Sequence, residues 1–178
     1  MCLVQMDLEN AFNRQARRRI FDALLDLAPG LAKLFRVFYG RPTRLYLASG
    51  DHIGTSATGV RQGDPLAMLF FSVGQQPTVR AVAAAVQEAR TEVGSTLPAG
   101  VVAYADDTTV YIGEKGADLA ARRVVDVINQ TRMRVKIEKC RTLVRPGRAP
   151  RVEPANGDPP LFTVVDDGIV VLGSPTGD

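Results

Sequence analysis

Asp106 and Asp107 stand side by side in the stretch VVAYADDTTVYIG (Val101–Gly113), with apolar and β-branched residues on both flanks. Such flanks predict two strands that turn at the acidic pair, a hairpin over Val101–Ile112. Asp-Asp makes a poor hairpin turn beside Asn-Gly or Asp-Gly, which accept the left-handed dihedrals that tight turns need. The two charges also repel. A divalent cation held between them and a third carboxylate turns that repulsion into binding energy for the metal. Asp7 offers the third carboxylate, because it ends the apolar stretch Leu3–Asp7 as Asp106 ends its own. If the two strands are neighbours in one sheet, their ends converge. Magnesium prefers hard oxygen ligands and takes one or two carboxylates plus substrate phosphates. Two such ions, roughly 3.5–4 Å apart, clamp the attacking and leaving oxygens of an in-line phosphoryl transfer.

Other chemistries find less support. The single histidine, His52, lies in a polar loop, and the two cysteines, Cys2 and Cys140, form no disulfide framework, so a His/Cys zinc site is not expected. The chain has 178 residues, 46% of them hydrophobic and 23% charged, which is the balance of a globular domain with a real core. No apolar run is long enough to span a bilayer, and no signal peptide is visible, so the expectation is an intracellular protein in a reducing compartment. The net charge is +3 and unevenly placed. From Arg122 to Arg148 nine Lys or Arg face only Asp126 and Glu138, a local excess of the kind that phosphate-backbone binding needs.

The elements that must position these residues follow from periodicity and punctuation. Leu3–Asp7 reads as a strand. Arg14–Leu27 reads as an amphipathic helix whose arginines Arg14, Arg17, Arg18 and Arg19 form a polar first half. They are either a solvated helix end or a nucleic-acid contact. Ala28-Pro29-Gly30 stops that helix, and Leu31–Tyr39 forms a second one. Thr43–Ala48 and Ile53–Ala57 read as paired strands around Ser49-Gly50-Asp51. After the loop TGVRQGD, Asp64 is a good N-cap and Pro65 suits the first turn of a long helix reaching about Arg90. Gly74 and Pro77 predict a kink or two shorter helices. Ala117–Thr131 is a helix, and Val135–Val144 contains one or two strands. Pro146–Pro160 is a loop, and Leu161–Val165 with Gly168–Leu172 forms a final hairpin around Asp166-Asp167. Helices interleaved with hairpins give the α+β class with an antiparallel sheet.

Four blocks, in order, resemble the palm motifs of reverse transcriptases, most nearly those of non-LTR retrotransposons. MDLENAF is similar to the first motif, an aspartate followed five residues later by an aromatic. GVRQGDPL is similar to the second, a Gln-Gly loop leading into a long helix. YADD is similar to the third. MRVKIEKC is similar to the fourth, which ends in a lysine. Val171-Leu172-Gly173 is faintly similar to the primer-grip region. The sequence departs from the family in the fourth motif, where Arg132 and Lys136 stand in place of the usual glycine and asparagine. The resemblance covers nearly the whole chain.

It implies a polymerase palm, with helices packed on one face of an antiparallel sheet around a ferredoxin-like or RRM-like core. The implied activity is that of an RNA-directed DNA polymerase, a nucleotidyltransferase joining dNTPs to a primer 3′-hydroxyl. The implied partners are an RNA template, a DNA primer and dNTP, and the implied cofactor is a pair of Mg²⁺ ions, with Mn²⁺ able to substitute. By the same resemblance Asp7 and Asp106 hold both ions. Asp107 is a secondary ligand, or else a turn residue tuning its neighbour. Phe12 takes the steric-gate position that favours dNTP over NTP, or packs in the core. Gln62 and Gly63 lie beside the incoming nucleotide and templating base, and Arg61 touches template or nucleotide, or is a surface arginine. Lys139 protonates the leaving pyrophosphate, or is one more basic contact. Residues 1–178 read as one palm domain. The family's fingers before it and thumb after it are not expected to fit. The alternative is a truncated, inactive retroelement remnant that retains nucleic-acid binding. An RNA-dependent RNA polymerase is disfavoured by Phe12 and Gln62-Gly63. A nuclear location would follow from a eukaryotic element of this type.

Overall fold

The computed structural model describes residues 1–145, 152–171 and 174–176. The chain forms two compact units, Met1–Glu9 with Thr78–Asp178, and Asn10–Pro77.

The first unit is built on a sheet. Its strands are β1 (Cys2–Met6), β4 (Gly100–Tyr104), β5 (Asp107–Ile112), β6 (Arg141–Leu143) and β7 (Thr163–Val165), in the order β4-β5-β1-β6-β7. β1 lies in the middle and pairs antiparallel with both β5 and β6. Taken with the helices α4 (Ala67–Glu92) and α5 (Ala117–Asn129), the order β1-α4-β4-β5-α5-β6 is the βαββαβ pattern of ferredoxin-like cores. The expectation of a purely antiparallel sheet needs one correction. β7 runs parallel to β6, so the sheet is mixed. The expected closing hairpin is also absent: β7 joins the main sheet, while β8 (Ile169–Val171) pairs with β9 (Ser174–Thr176) separately. β7 finds an open edge on β6, and satisfying its backbone groups there outweighs a short isolated hairpin.

Strand alternation decides the core. Cys2, Val4 and Met6 of β1 are buried, as are Thr108, Val110 and Ile112 opposite them. α5 packs on β1 through an apolar stripe that includes Ala117, Ala120, Ala121, Val124 and Ile128. In its later half α4 contributes Val82, Ala85, Val86 and Ala89 to the buried set. Of the expected kink or two shorter helices, the second is not found: α4 runs unbroken through Pro77. Proline removes one helical donor, and buried side chains before it (Phe70, Phe71) and after it (Val82, Val86) anchor both halves. The boundary between the two units falls at this proline.

The second unit is mainly helical. The expected helix over Arg14–Leu27 divides into α1 (Ala11–Arg14) and α2 (Arg17–Leu27), with extended backbone at Gln15 and Ala16. α3 (Pro29–Tyr39) starts with its proline in the first turn. β2 (Thr43–Tyr46) and β3 (His52–Ser56) make the expected hairpin. Phe35, Tyr39 and Phe70 form its aromatic core, with ring centroids 5.0 to 5.9 Å apart.

Candidate active site

The β1–β5 register carries the acidic cluster. Its last pair is Met6 with Thr108, so the next step along brings Asp7 opposite Asp107. Both then point to the face opposite the buried Met6. On the other side of β5, Asp107 pairs with Tyr104. The turn is therefore Ala105-Asp106, and Asp107 opens the return strand rather than sharing the tip. Ala105 takes φ 53°, the left-handed conformation that an Asn-Gly turn would have supplied without strain. The Asp107 carboxyl is held above its ordinary value, first by partial desolvation and then by the charges of Asp106 and Asp7. Asp107 thus lies close enough to both of the other carboxylates to feel their charge. Among the described residues, no three His, Cys, Asp or Glu side chains form a set that could hold a metal ion.

A second strip of chain is bound to Asp7. The Lys136 N–H donates to the Asp7 carbonyl at 2.9 Å, and Glu9 N–H to the Arg134 carbonyl at 2.8 Å, around a bridge between Leu8 and Val135. This pairing leads into a single 3-10 turn, Ile137–Lys139, which places Lys139 Nζ 3.7 Å from Asp7 Oδ2. The strip enters through Arg132 at φ 69°. This is the left-handed region that favours glycine, held here by an arginine. Cys140, buried behind the turn, accepts the Asp7 N–H on its sulfur. Burial pushes its thiol up to about 11, so at neutral pH it is a packing group and not a nucleophile.

The remaining predicted residues lie in the second unit. The Phe12 ring is half-buried and stacks on Phe71, with centroids 4.3 Å apart. Its carbonyl accepts the Val60 N–H at 2.8 Å, and Gly59 packs so tightly on Phe12 and Asn13 that a Cβ there would collide with their backbone. The loop Arg61–Asp64 is thereby tied to α1. Gln62 and Gly63 are exposed, and Gly63 takes φ 87° in open space. Asp64 does what its position predicts, accepting the Leu66 N–H at 2.9 Å before α4.

The network behind this loop was not legible in the sequence. Tyr39, 2% exposed, donates its hydroxyl to Asp64 and accepts the Arg61 N–H. The guanidiniums of Arg17 and Arg61 stand 5.2 and 5.0 Å from its ring centroid. The Tyr39 phenol is raised by burial and by Asp64, and the Asp64 carboxyl is lowered by the tyrosine hydrogen bond. The Phe35–Tyr39 spacing on one helix face signals burial, but nothing local announces Asp64 as the partner.

The basic segment after Arg122 is partly consumed within the first unit. Arg122 pairs with the buried Asp118 at 2.8 Å, Arg123 with Glu88 and Glu92, and Arg141 donates to the Glu138 and Cys140 carbonyls. Arg148 and the Leu172-Gly173 end of the suggested primer-grip segment lie outside the described residues. The second unit, by contrast, holds nine Lys or Arg against four Asp, while the first holds thirteen against fifteen Asp or Glu.

No family model and no curated protein matches the chain. Among solved structures it is similar to apo telomerase from Candida tropicalis truncated from its C-terminal domain, with a TM-score of 0.56 and 12% identity over 78% of this chain. The chain spans 30% of that telomerase chain. Together, the mixed five-stranded sheet, its helices and this neighbour define an α+β, polymerase-palm-like fold.

Proposed function

We propose that the chain is the palm of an RNA-directed DNA polymerase of reverse-transcriptase type, acting within a longer protein. The observation that carries this reading is the β1–β5 register, which sets Asp7 beside Asp107 next to the Asp106 turn, with the Lys139 ammonium against Asp7. The donors are hard oxygens whose charges already disfavour ionisation of Asp107. Although no three side chains form a metal set among the described residues, magnesium needs only one or two carboxylates from the protein and would take the rest of its shell from water and substrate phosphates. Asp7 and Asp106 would hold it, with Asp107 as the secondary ligand. Bound there, Mg²⁺, or Mn²⁺ in its place, would stabilise charge on the attacking and leaving oxygens.

The chain's own groups supply the rest. Lys139 Nζ offers a proton or a fixed positive charge to the leaving pyrophosphate. By the motif resemblance, Phe12 would favour dNTP over NTP, and Arg61, Gln62 and Gly63, backed by the Tyr39–Asp64 network, would contact the incoming nucleotide and templating base. The assignments to RNA template, DNA primer and the non-LTR type rest on the motif resemblance.

Primer extension on an RNA template tests the reading. With Mg²⁺ we expect incorporation of dTTP in preference to UTP. Asp106→Asn should lower the rate by at least about 100-fold, the equivalent of several kcal/mol of transition-state stabilisation. Extension that survives in Asp106→Asn, or that accepts UTP as readily as dTTP, would overturn it.

A further inference from the structure

Helices α2 and α3 enclose a groove of about 400 Å³ lined by Arg17, Arg18 and Arg36 together with Phe21, Phe35 and Tyr39. Arg17 forms its floor and is fully engaged, yet only with neutral groups. Its Nε donates to the Gly59 carbonyl at 2.9 Å, and its terminal nitrogens to the Tyr39 and Arg41 carbonyls and the Ser56 hydroxyl. None of these partners neutralises the guanidinium. Its pKa is lowered by desolvation and by the charge of Arg61, the mark of a cation lacking a counter-ion. Arg36 is exposed and has no anionic partner among the described residues. Arg18 meets only Asp22, across a solvent-exposed pair that contributes little. The half-buried Phe21 adds an aromatic wall.

Arginines with at most an exposed counter-ion, beside an aromatic side chain, are the parts of a single-strand nucleic-acid site, the charges tracking phosphates and the ring stacking on a base. We infer that the α2–α3 groove grips one strand of nucleic acid by its phosphate backbone, with Arg18 and Arg36 on successive phosphates and Phe21 against a base. This rests on the polymerase reading for the kind of polyanion, and it makes α2 and α3 a strand-holding surface in their own right. Charge complementarity selects the occupant. The unit that bears the groove carries more than twice as many cations as anions.

The test needs no catalysis. A fluorescein-labelled oligodeoxythymidylate of about twelve nucleotides is bound in EDTA and followed by anisotropy across a salt series. Each lost phosphate contact should make the log–log salt slope about 0.7 less steep, so Arg18→Gln/Arg36→Gln should flatten it by about 1.4 and weaken binding about 25-fold near 0.1 M salt. Phe21→Leu should weaken binding about five-fold or more and leave the slope unchanged. A matched pair in the first unit, Arg80→Gln/Lys115→Gln, should change neither. Equal losses in both charge pairs, or no loss in either, would overturn the groove. So would displacement of the strand by polyglutamate or by free dTTP at concentrations matched in charge. Circular dichroism melts confirm that each variant is folded. Because binding is read in EDTA without dNTP or extension, failure of the polymerase reading and failure of the groove are separate results.

Discussion

Asp107 is pushed toward the protonated state by desolvation and by the charges beside it. Its folded pKa lies above the unfolded value, so the native state binds the extra proton between the two. Stability therefore falls as pH rises through that window, and at neutral pH the ionised group works against folding. Asp107→Asn should raise the melting temperature of the metal-free protein and flatten its acid-side pH dependence. Adding Mg²⁺ should stabilise the parent and stabilise this variant less; an equal shift in both would remove Asp107 from any metal site. Two residues hold left-handed backbone without being glycine at the same end of the unit, Ala105 and Arg132. The cost for such a residue is about 1 kcal/mol. Arg132→Gly should therefore stabilise by roughly that amount less the entropy glycine adds to the unfolded chain, which chemical denaturation can measure. The motif residues themselves were readable from types and spacing. The dihedrals were not, because the sequence at both positions departs from the residues those dihedrals prefer.

At the scale of elements, strand and helix positions followed the apolar pattern closely where the period was sustained. β1, the β2–β3 hairpin, α3 and α5 lie within a few residues of where periodicity puts them. The misses share a cause, which is that tertiary packing overrode local punctuation. Pro77 failed to break α4 because buried residues anchor both sides, and Gln15 and Ala16 broke a helix whose apolar pattern looked continuous. At Gly74 the absent Cβ lets Gln15 and Ile20 pack directly on α4. The long loop before β7 was equally illegible in its anchoring. Asp118, 3% exposed, accepts from Arg122 and from the Ala155 and Leu161 N–H groups at 2.8 and 2.6 Å, fastening that loop to the start of α5. Asp118→Ala leaves Arg122 with Asp158 and the Pro159 carbonyl but frees two backbone donors, so it should cost about 1–3 kcal/mol. A loss below about 1 kcal/mol in urea unfolding would mean the loop is held by other contacts.

Across the whole molecule, the sequence made the palm-like fold legible but not how its basic run is partnered. The run from Arg122 to Arg148 drew attention because it is contiguous. Ion pairs with Asp118, Glu88 and Glu92, all distant in sequence or a helical turn away, answer part of it. A second set of positive charge is scattered thinly along Asn10–Pro77 and becomes a surface only when α2 and α3 bring it together. The same separation in sequence bears on how the protein comes into being. The central strand β1 is made first, at residues 2–6, yet its partners β5 and β6 lie at 107–112 and 141–143. Closing so long a loop is slow and entropically costly. On the ribosome, the five residues of β1 must wait while all of Asn10–Pro77 emerges and has the chance to fold. The three carboxylates proposed as metal ligands can thus meet only once β5 has been translated, and Lys139 joins Asp7 later still.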